Sequence, residues 1–264
     1  MNVMIMTDLE GISGVDTMEM IQADNPEGYR YACRRLMADI NAAVEGCLDA
    51  GADDIWVVDG HGGGKNFIHE MLHPKAKYAD HSIWQGLIQD GKIDAYMEVG
   101  CHAMPGTFNG FLDHCQSSKS WFSYVVNGRP MGEIGQGAIF CGAHGVPFVM
   151  VTGDDAACQE ARALLGDIPT ASVKKGIGRN RAALEPLDVA EARIRAAACE
   201  ALRRLNTFKP YHFILPLEIK LTLYRTDMAD SVFEHCTGLE RLDARTVRKV
   251  VPKVYRYQDV LFAD

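Results

Sequence analysis

The chain has 264 residues, 47% hydrophobic and 23% charged, with a formal net charge of −8. That length supports one large or two modest domains with a sizeable core. The acidic balance argues against a nucleic-acid partner, which needs a clustered basic surface. No apolar run approaches the roughly 18 residues of a membrane span, and the N-terminus lacks a basic segment followed by a signal-type apolar one, so a cytoplasmic protein with no membrane partner is expected.

The opening run Asn2-Val3-Met4-Ile5-Met6 reads as a buried parallel strand, and Thr7-Asp8-Leu9-Glu10-Gly11 follows at its carboxyl end, where open α/β sheets hold their ligands. Asp8 and Glu10 point to one side, and two like charges so close call for a cation between them. Seen alone, the stretch also reads as an ordinary acidic, Gly-containing turn. Asn25-Pro26-Glu27 starts a helix, with Asn as N-cap and Pro at the first helical position, which continues to Gly51. Ile55-Trp56-Val57-Val58 is a second strand, parallel to the first by the handedness of strand–helix–strand units. It ends in Asp59-Gly60-His61-Gly62-Gly63-Gly64-Lys65. A phosphate loop is rejected there because residue 59 is Asp and residue 66 is Asn. An esterase oxyanion loop is rejected because the chain has no G-x-S-x-G. A flexible loop presenting His61 and a purely structural glycine loop both stay open.

His69, His73 and His81 lie in a polar connection and are expected to be solvated or locally bonded. The run Ile93 to Val99 is a third strand, ending in Gly100-Cys101-His102, and a glycine-containing loop leads on to Asp113-His114-Cys115. Trp121 to Val126 is a strand, Asn127-Gly128 a tight turn, and Arg129-Pro130-Met131-Gly132-Glu133 a helix entry. Pro147 to Val151 is a further strand, after which Asp154-Asp155 is expected to cap a helix rather than bind a ligand.

From about Pro169 a basic linker is expected (Lys174, Lys175, Arg179, Arg181), then a helix from Asp188 to Leu205, a strand within Phe213 to Leu223, a short helix near Asp227 to Cys236 and a β-rich end. The predicted fold class is therefore α/β, a mostly parallel sheet flanked by helices, with a smaller C-terminal α+β layer. The domains are predicted as 1–172, carrying the site, and 173–264.

Eight cysteines are scattered without a C-x-x-C pair and mostly among apolar neighbours, which suggests reduced core thiols. Cys101 and Cys115 each adjoin a histidine, but neighbours in sequence do not share a strand face, so a thiolate nucleophile is the lesser reading.

Collected on one rim are Asp8, Glu10, His61, His102, His114 and Glu133. Carboxylates with imidazoles suit zinc or a neighbouring first-row divalent ion. One catalytic zinc takes about three protein ligands plus water, so five ligands with Asp8 bridging favour a two-metal site.

The chain resembles the zinc-dependent D-aminopeptidases encoded with dipeptide-transport genes. The resemblance rests on Asp8-Leu9-Glu10-Gly11-Ile12-Ser13-Gly14, Asp59-Gly60-His61, Gly100-Cys101-His102-Ala103, Asp113-His114, Asn127 to Gly135 and Val151 to Asp155, and covers most of the first 180 residues. It implies that Asp8 bridges two zinc ions, that Glu10, His61, His102 and Glu133 complete their shells, and that His114 acts catalytically. It further implies a homo-oligomer, a ring-stacked decamer with sites facing an inner chamber, which removes N-terminal D-residues from short peptides such as D-Ala-D-Ala. Met6, in place of a small hydroxyl residue often seen there, and Cys115 are departures that bear on the substrate pocket.

The leading expectation is thus a two-zinc aminopeptidase in which His114 transfers protons, since imidazole titrates near neutrality and metal-activated water already supplies a nucleophile. The alternatives are a metallo-amidase or esterase acting on a non-peptide metabolite, and a metal-stabilised peptide-binding protein without turnover.

Overall fold

The computed structural model describes residues 1–80 and 82–262, so His81 lies outside the described residues. In chain order the first half runs β1 (Asn2–Thr7), α1 (Pro26–Asp49), β2 (Asp54–Asp59), β3 (Lys77–Ala79), α2 (Trp84–Gln89), β4 (Ala95–Cys101), β5 (Trp121–Val126), β6 (Arg129–Pro130) and α3 (Glu133–Ala143). The second half runs β7 (Phe148–Asp154), α4 (Asp155–Leu165), β8 (Thr170–Gly178), β9 (Arg181–Leu184), α5 (Leu187–Arg203), β10 (Leu217–Leu223), α6 (Thr226–His235), β11 (Glu240–Arg241) and β12 (Thr246–Val251).

The larger sheet has seven strands in the order β3-β2-β1-β4-β7-β8-β9, parallel throughout except for the edge strand β9. Strand alternation sends successive side chains to opposite faces and so makes two cores. Val3 and Ile5 of β1, with Met97 and Val99 of β4, pack under α1 and α5, whereas Met4 and Tyr96 face the layer containing α3. α1 starts as its sequence demands, the Asn25 side chain accepting from the Gly28 amide at 3.0 Å with Pro26 at the first position. The smaller sheet is antiparallel, β11-β12-β10-β5-β6. Together these give the expected α/β fold with a smaller α+β layer.

One stretch departs from the sequence reading. The expected basic linker is strand β8, paired with β7 along one side, and its Lys174 is fully buried. The charges mask the alternation of Ala171 and Val173, whose side chains enter the core beneath α5. Position 172 falls inside this strand, while the smaller sheet takes β5 and β6 from well upstream, so the two layers interleave in sequence. His73, by contrast, is locally bonded as expected, Nδ1 accepting from the Lys75 amide at 3.2 Å, while Nε2 lies 3.0 Å from the more distant Glu45.

Behind the first strand end, the fully buried Asp39 carboxylate accepts from the Ser13 amide at 2.7 Å and from the Ser13 hydroxyl. Burial pushes its carboxyl up to about 6, against the pull of the Ser13 bonds and the Arg35 charge. The folded pKa exceeds the unfolded one, so this group's stabilisation is complete below the unfolded pKa and disappears as pH rises through the folded one. Relative to Asp39→Asn, the wild type is expected to lose about 1.4 kcal/mol between about pH 5 and about pH 7.5, measurable by urea unfolding of both proteins.

Candidate metal centre

Parallel pairing brings the carboxyl ends of β1, β2 and β4 side by side, and backbone bonds stitch the turns that follow. The Asp8 amide donates to the Val99 carbonyl and the Gly11 amide to that of Gly100, each at 2.8 Å, and the Gly60 amide donates to Thr7 at 2.9 Å. A Cβ at Gly11 would lie 1.8 Å from the Cys101 carbonyl oxygen, and one at Gly100, whose φ is +87°, would lie 2.2 Å from that of Asp8. Both positions therefore require glycine.

All six residues singled out in the sequence meet here. His61 Nδ1 lies 3.0 Å from Asp8 Oδ1 and 2.8 Å from Glu10 Oε2. His102 Nε2 lies 3.3 Å from Asp8 Oδ2 and 3.2 Å from Glu133 Oε1. His114 Nε2 stands 4.0 Å from Glu10 Oε1 and 3.9 Å from Glu133 Oε1, its ring stacked on that of His102 with centroids 3.8 Å apart. Two adjoining groups result, Asp8–Glu10–His61 and His102–His114–Glu133, the donor atoms within each lying within 4.8 Å of one another.

The tautomers follow from the neighbouring carbonyls. His114 Nδ1 is 2.7 Å from the Leu112 carbonyl and His102 Nδ1 is 3.2 Å from that of Ala103, so each Nδ1 donates and leaves Nε2 facing the acids. Burial alone would raise the Asp8 carboxyl, but the His61 hydrogen bond and the His102 charge hold it well below the usual carboxylate range. Glu133 is lowered in the same way, burial being outweighed by His102 and then His114. Burial opposes charge on both imidazoles, yet Glu10 and Asp8 push His61 up to about 12, and Glu133 with Asp8 pushes His102 well above its ordinary value. The pocket thus demands positive charge.

The donor set tests whether a metal fits. A single N–H on His61 cannot align with two carboxylates at once, and Glu10 Oε2, although 2.8 Å from that nitrogen, is buried without a hydrogen bond of acceptable geometry. Lone pairs converging without enough donors are what a divalent cation satisfies, and carboxylate with imidazole suits zinc.

Several supports were not legible in the sequence. Lys174 reaches across from β8, its ammonium donating to the carbonyls of Glu10 at 2.7 Å and Val15 at 2.6 Å, which fixes the first acidic turn from behind. Asp59 accepts from the Asn66 amide at 2.7 Å, and Asn66 Nδ2 donates to the His61 carbonyl at 2.8 Å, which closes the glycine loop. Asp154 caps α4 as expected, accepting from the Ala157 amide at 2.9 Å, and with its other oxygen accepts from the Phe111 amide at 2.8 Å, anchoring the His114 loop. Burial, aided by nearby carboxylates, pushes the thiols of Cys101 and Cys115 well above their ordinary range, as inert core thiols require.

A parallel α/β sheet whose strand ends gather acids and imidazoles into two adjoining groups defines a protein with a donor set made for divalent cations. The D-aminopeptidase family model matches residues 1–262, and the chain belongs to that family. It is similar to the D-aminopeptidase of Bacillus subtilis (strain 168), 29% identical over 183 residues, a match spanning 68% of this chain and about two thirds (66%) of that relative. Its fold is that of the Zn-dependent D-aminopeptidase DppA from Bacillus subtilis, a self-compartmentalizing protease, with a TM-score of 0.90 at 24% identity over 99% of this chain and 96% of the other.

Proposed function

We propose that this protein is a zinc aminopeptidase that removes the N-terminal residue, a D-amino acid, from short peptides, and that its site holds two zinc ions. The observation that carries the reading is Asp8, whose Oδ1 faces His61 while its Oδ2 faces His102, so that one carboxylate spans both donor groups. Glu10 and His61 complete one shell, and His102 and Glu133 the other. Family membership, and the zinc dependence of the structural relative, support the choice of metal and reaction. Zinc, when bound, supplies Lewis acidity toward the scissile carbonyl and makes a bound water acidic. His114 carries the proton to the leaving amine, because Nε2 is free, the Leu112 carbonyl fixes its tautomer and stacking on His102 fixes its ring. The structural relative's self-compartmentalizing assembly supports a homo-oligomer here, a decamer with its sites turned inward. No helix among the described residues is long and apolar enough to cross a membrane, and Cys33, Cys47, Cys101, Cys115, Cys141, Cys158 and Cys199 are reduced thiols, which supports a cytoplasmic setting.

Chelation is expected to abolish hydrolysis of D-Ala peptides and added zinc to restore it, with elemental analysis giving the stoichiometry and light scattering the assembly. N-acylated substrates are expected to be inert, because an aminopeptidase engages the free amine. Equal cleavage of acyl amides would instead make it an amidase, and metal-loaded protein that binds peptides without cleaving any would make it a receptor.

A further inference from the structure

Asp8 and Glu133 border two cavities. One, of about 480 Å³, is lined by Glu10, His61, His114 and the polar Ser118, Lys119 and Arg179. The other, of about 310 Å³, leads away from His102 between Trp84, Tyr96, Tyr257 and Leu261, and Glu98 lines it. A substrate whose scissile bond lies at the metal centre borders both. The smaller volume lies at the low end for ligand pockets and suits a single long side chain.

Glu98 sets the character of that second cavity. Strand alternation puts it on the same face of β4 as Tyr96, where it is 7% exposed. Its Oε1 accepts from the Tyr96 hydroxyl at 2.9 Å and its Oε2 from the Cys101 thiol at 3.0 Å, so the carboxyl is held in place. Gly137 of α3 makes room for it, since a Cβ there would lie 2.5 Å from Oε1. Among the described residues no cationic side chain pairs with Glu98. Burial pushes its carboxyl up to about 8 against the pull of the Cys101 and Tyr96 bonds. A fixed, buried carboxyl without a cation, in a slot walled by aromatic rings, is what recognises an ammonium ion.

We propose that this cavity receives the side chain of the substrate's first residue and selects a basic one of lysine length, its ammonium seated on Glu98 among Trp84, Tyr96 and Tyr257. The assignment rests on the aminopeptidase reading above and names the substrate class within it. The test compares zinc-loaded enzyme on D-Lys-D-Ala and D-norleucyl-D-Ala, whose first side chains differ in the ammonium group, alongside calorimetric binding of free D-lysine and D-norleucine. The wild type is expected to favour lysine by about tenfold or more in kcat/KM and in affinity, the order of one buried hydrogen bond to a charge. Glu98→Gln is expected to bring the ratio close to one. A wild-type enzyme that cleaves both peptides with norleucine equal or better overturns the basic-residue assignment while leaving the aminopeptidase standing, and it does so without any variant. A lysine preference unchanged in Glu98→Gln overturns it too. Conversely, a Glu98-dependent preference for free D-lysine in a protein that cleaves no peptide would uphold the pocket and remove the peptidase.

Discussion

His114→Ala is expected to lower kcat by about 10²- to 10⁴-fold, the usual loss on removing a positioned proton carrier, while zinc content stays at the wild-type level. The distinction matters because His114 Nε2 is near enough to Glu133 and His102 to be counted with the second donor group. Its distances of 3.9 and 4.0 Å to the two carboxylates are longer than those of His61 and His102 to theirs. That looser seat suits a ring that must meet a substrate atom. Elemental analysis of the variant, beside single-turnover kinetics, checks it. Loss of metal together with activity would make His114 a ligand, and full activity would remove it from the reaction.

Asp8→Ala is expected to remove both metals and all detectable hydrolysis, whereas His61→Ala should empty only the shell it shares with Glu10. The asymmetry follows from Asp8 alone presenting an oxygen within 3.3 Å of an imidazole in each group, whereas Glu10 lies 2.8 Å from His61 but 4.0 Å from His114. Its removal also leaves His61 and His102 facing the remaining acids without the carboxylate that lies between them. Zinc titration followed by calorimetry on each variant reads the number of sites directly. If Asp8→Ala retains one tightly bound zinc, the carboxylate serves a single ion and the bridged pair is wrong.

Why the pocket could be read from the sequence and much of its scaffolding could not has a physical explanation. Asp8, His61 and His102 each follow a short apolar run bounded by glycine, and parallel strands deliver such ends to one rim whatever lies between them. Asn25, Pro26 and Asp154 carry their meaning within three residues, because a cap is a local hydrogen bond. Strand β8 was hidden because Lys174 looks like a solvated charge until its two carbonyl partners, more than 150 positions away, are known. The pairing of β5 with β10 leaves no local trace either, so the smaller sheet looked like a purely C-terminal unit. Glu98 sits in a run that reads simply as a strand, and only the cavity beside it gives the acid a purpose.

The glycine contacts between the β1 and β4 turns constrain how this enzyme can diversify. With main chain resting directly on main chain at Gly11 and Gly100, neither turn can acquire bulk or shift without evicting the other. New selectivity therefore has to arise elsewhere, in Trp84, Tyr257 and Leu261, which border the slot from segments outside those two turns. A library randomised at those three positions should yield altered preferences in folded protein, while one aimed at the acidic turn should yield mostly misassembled chains.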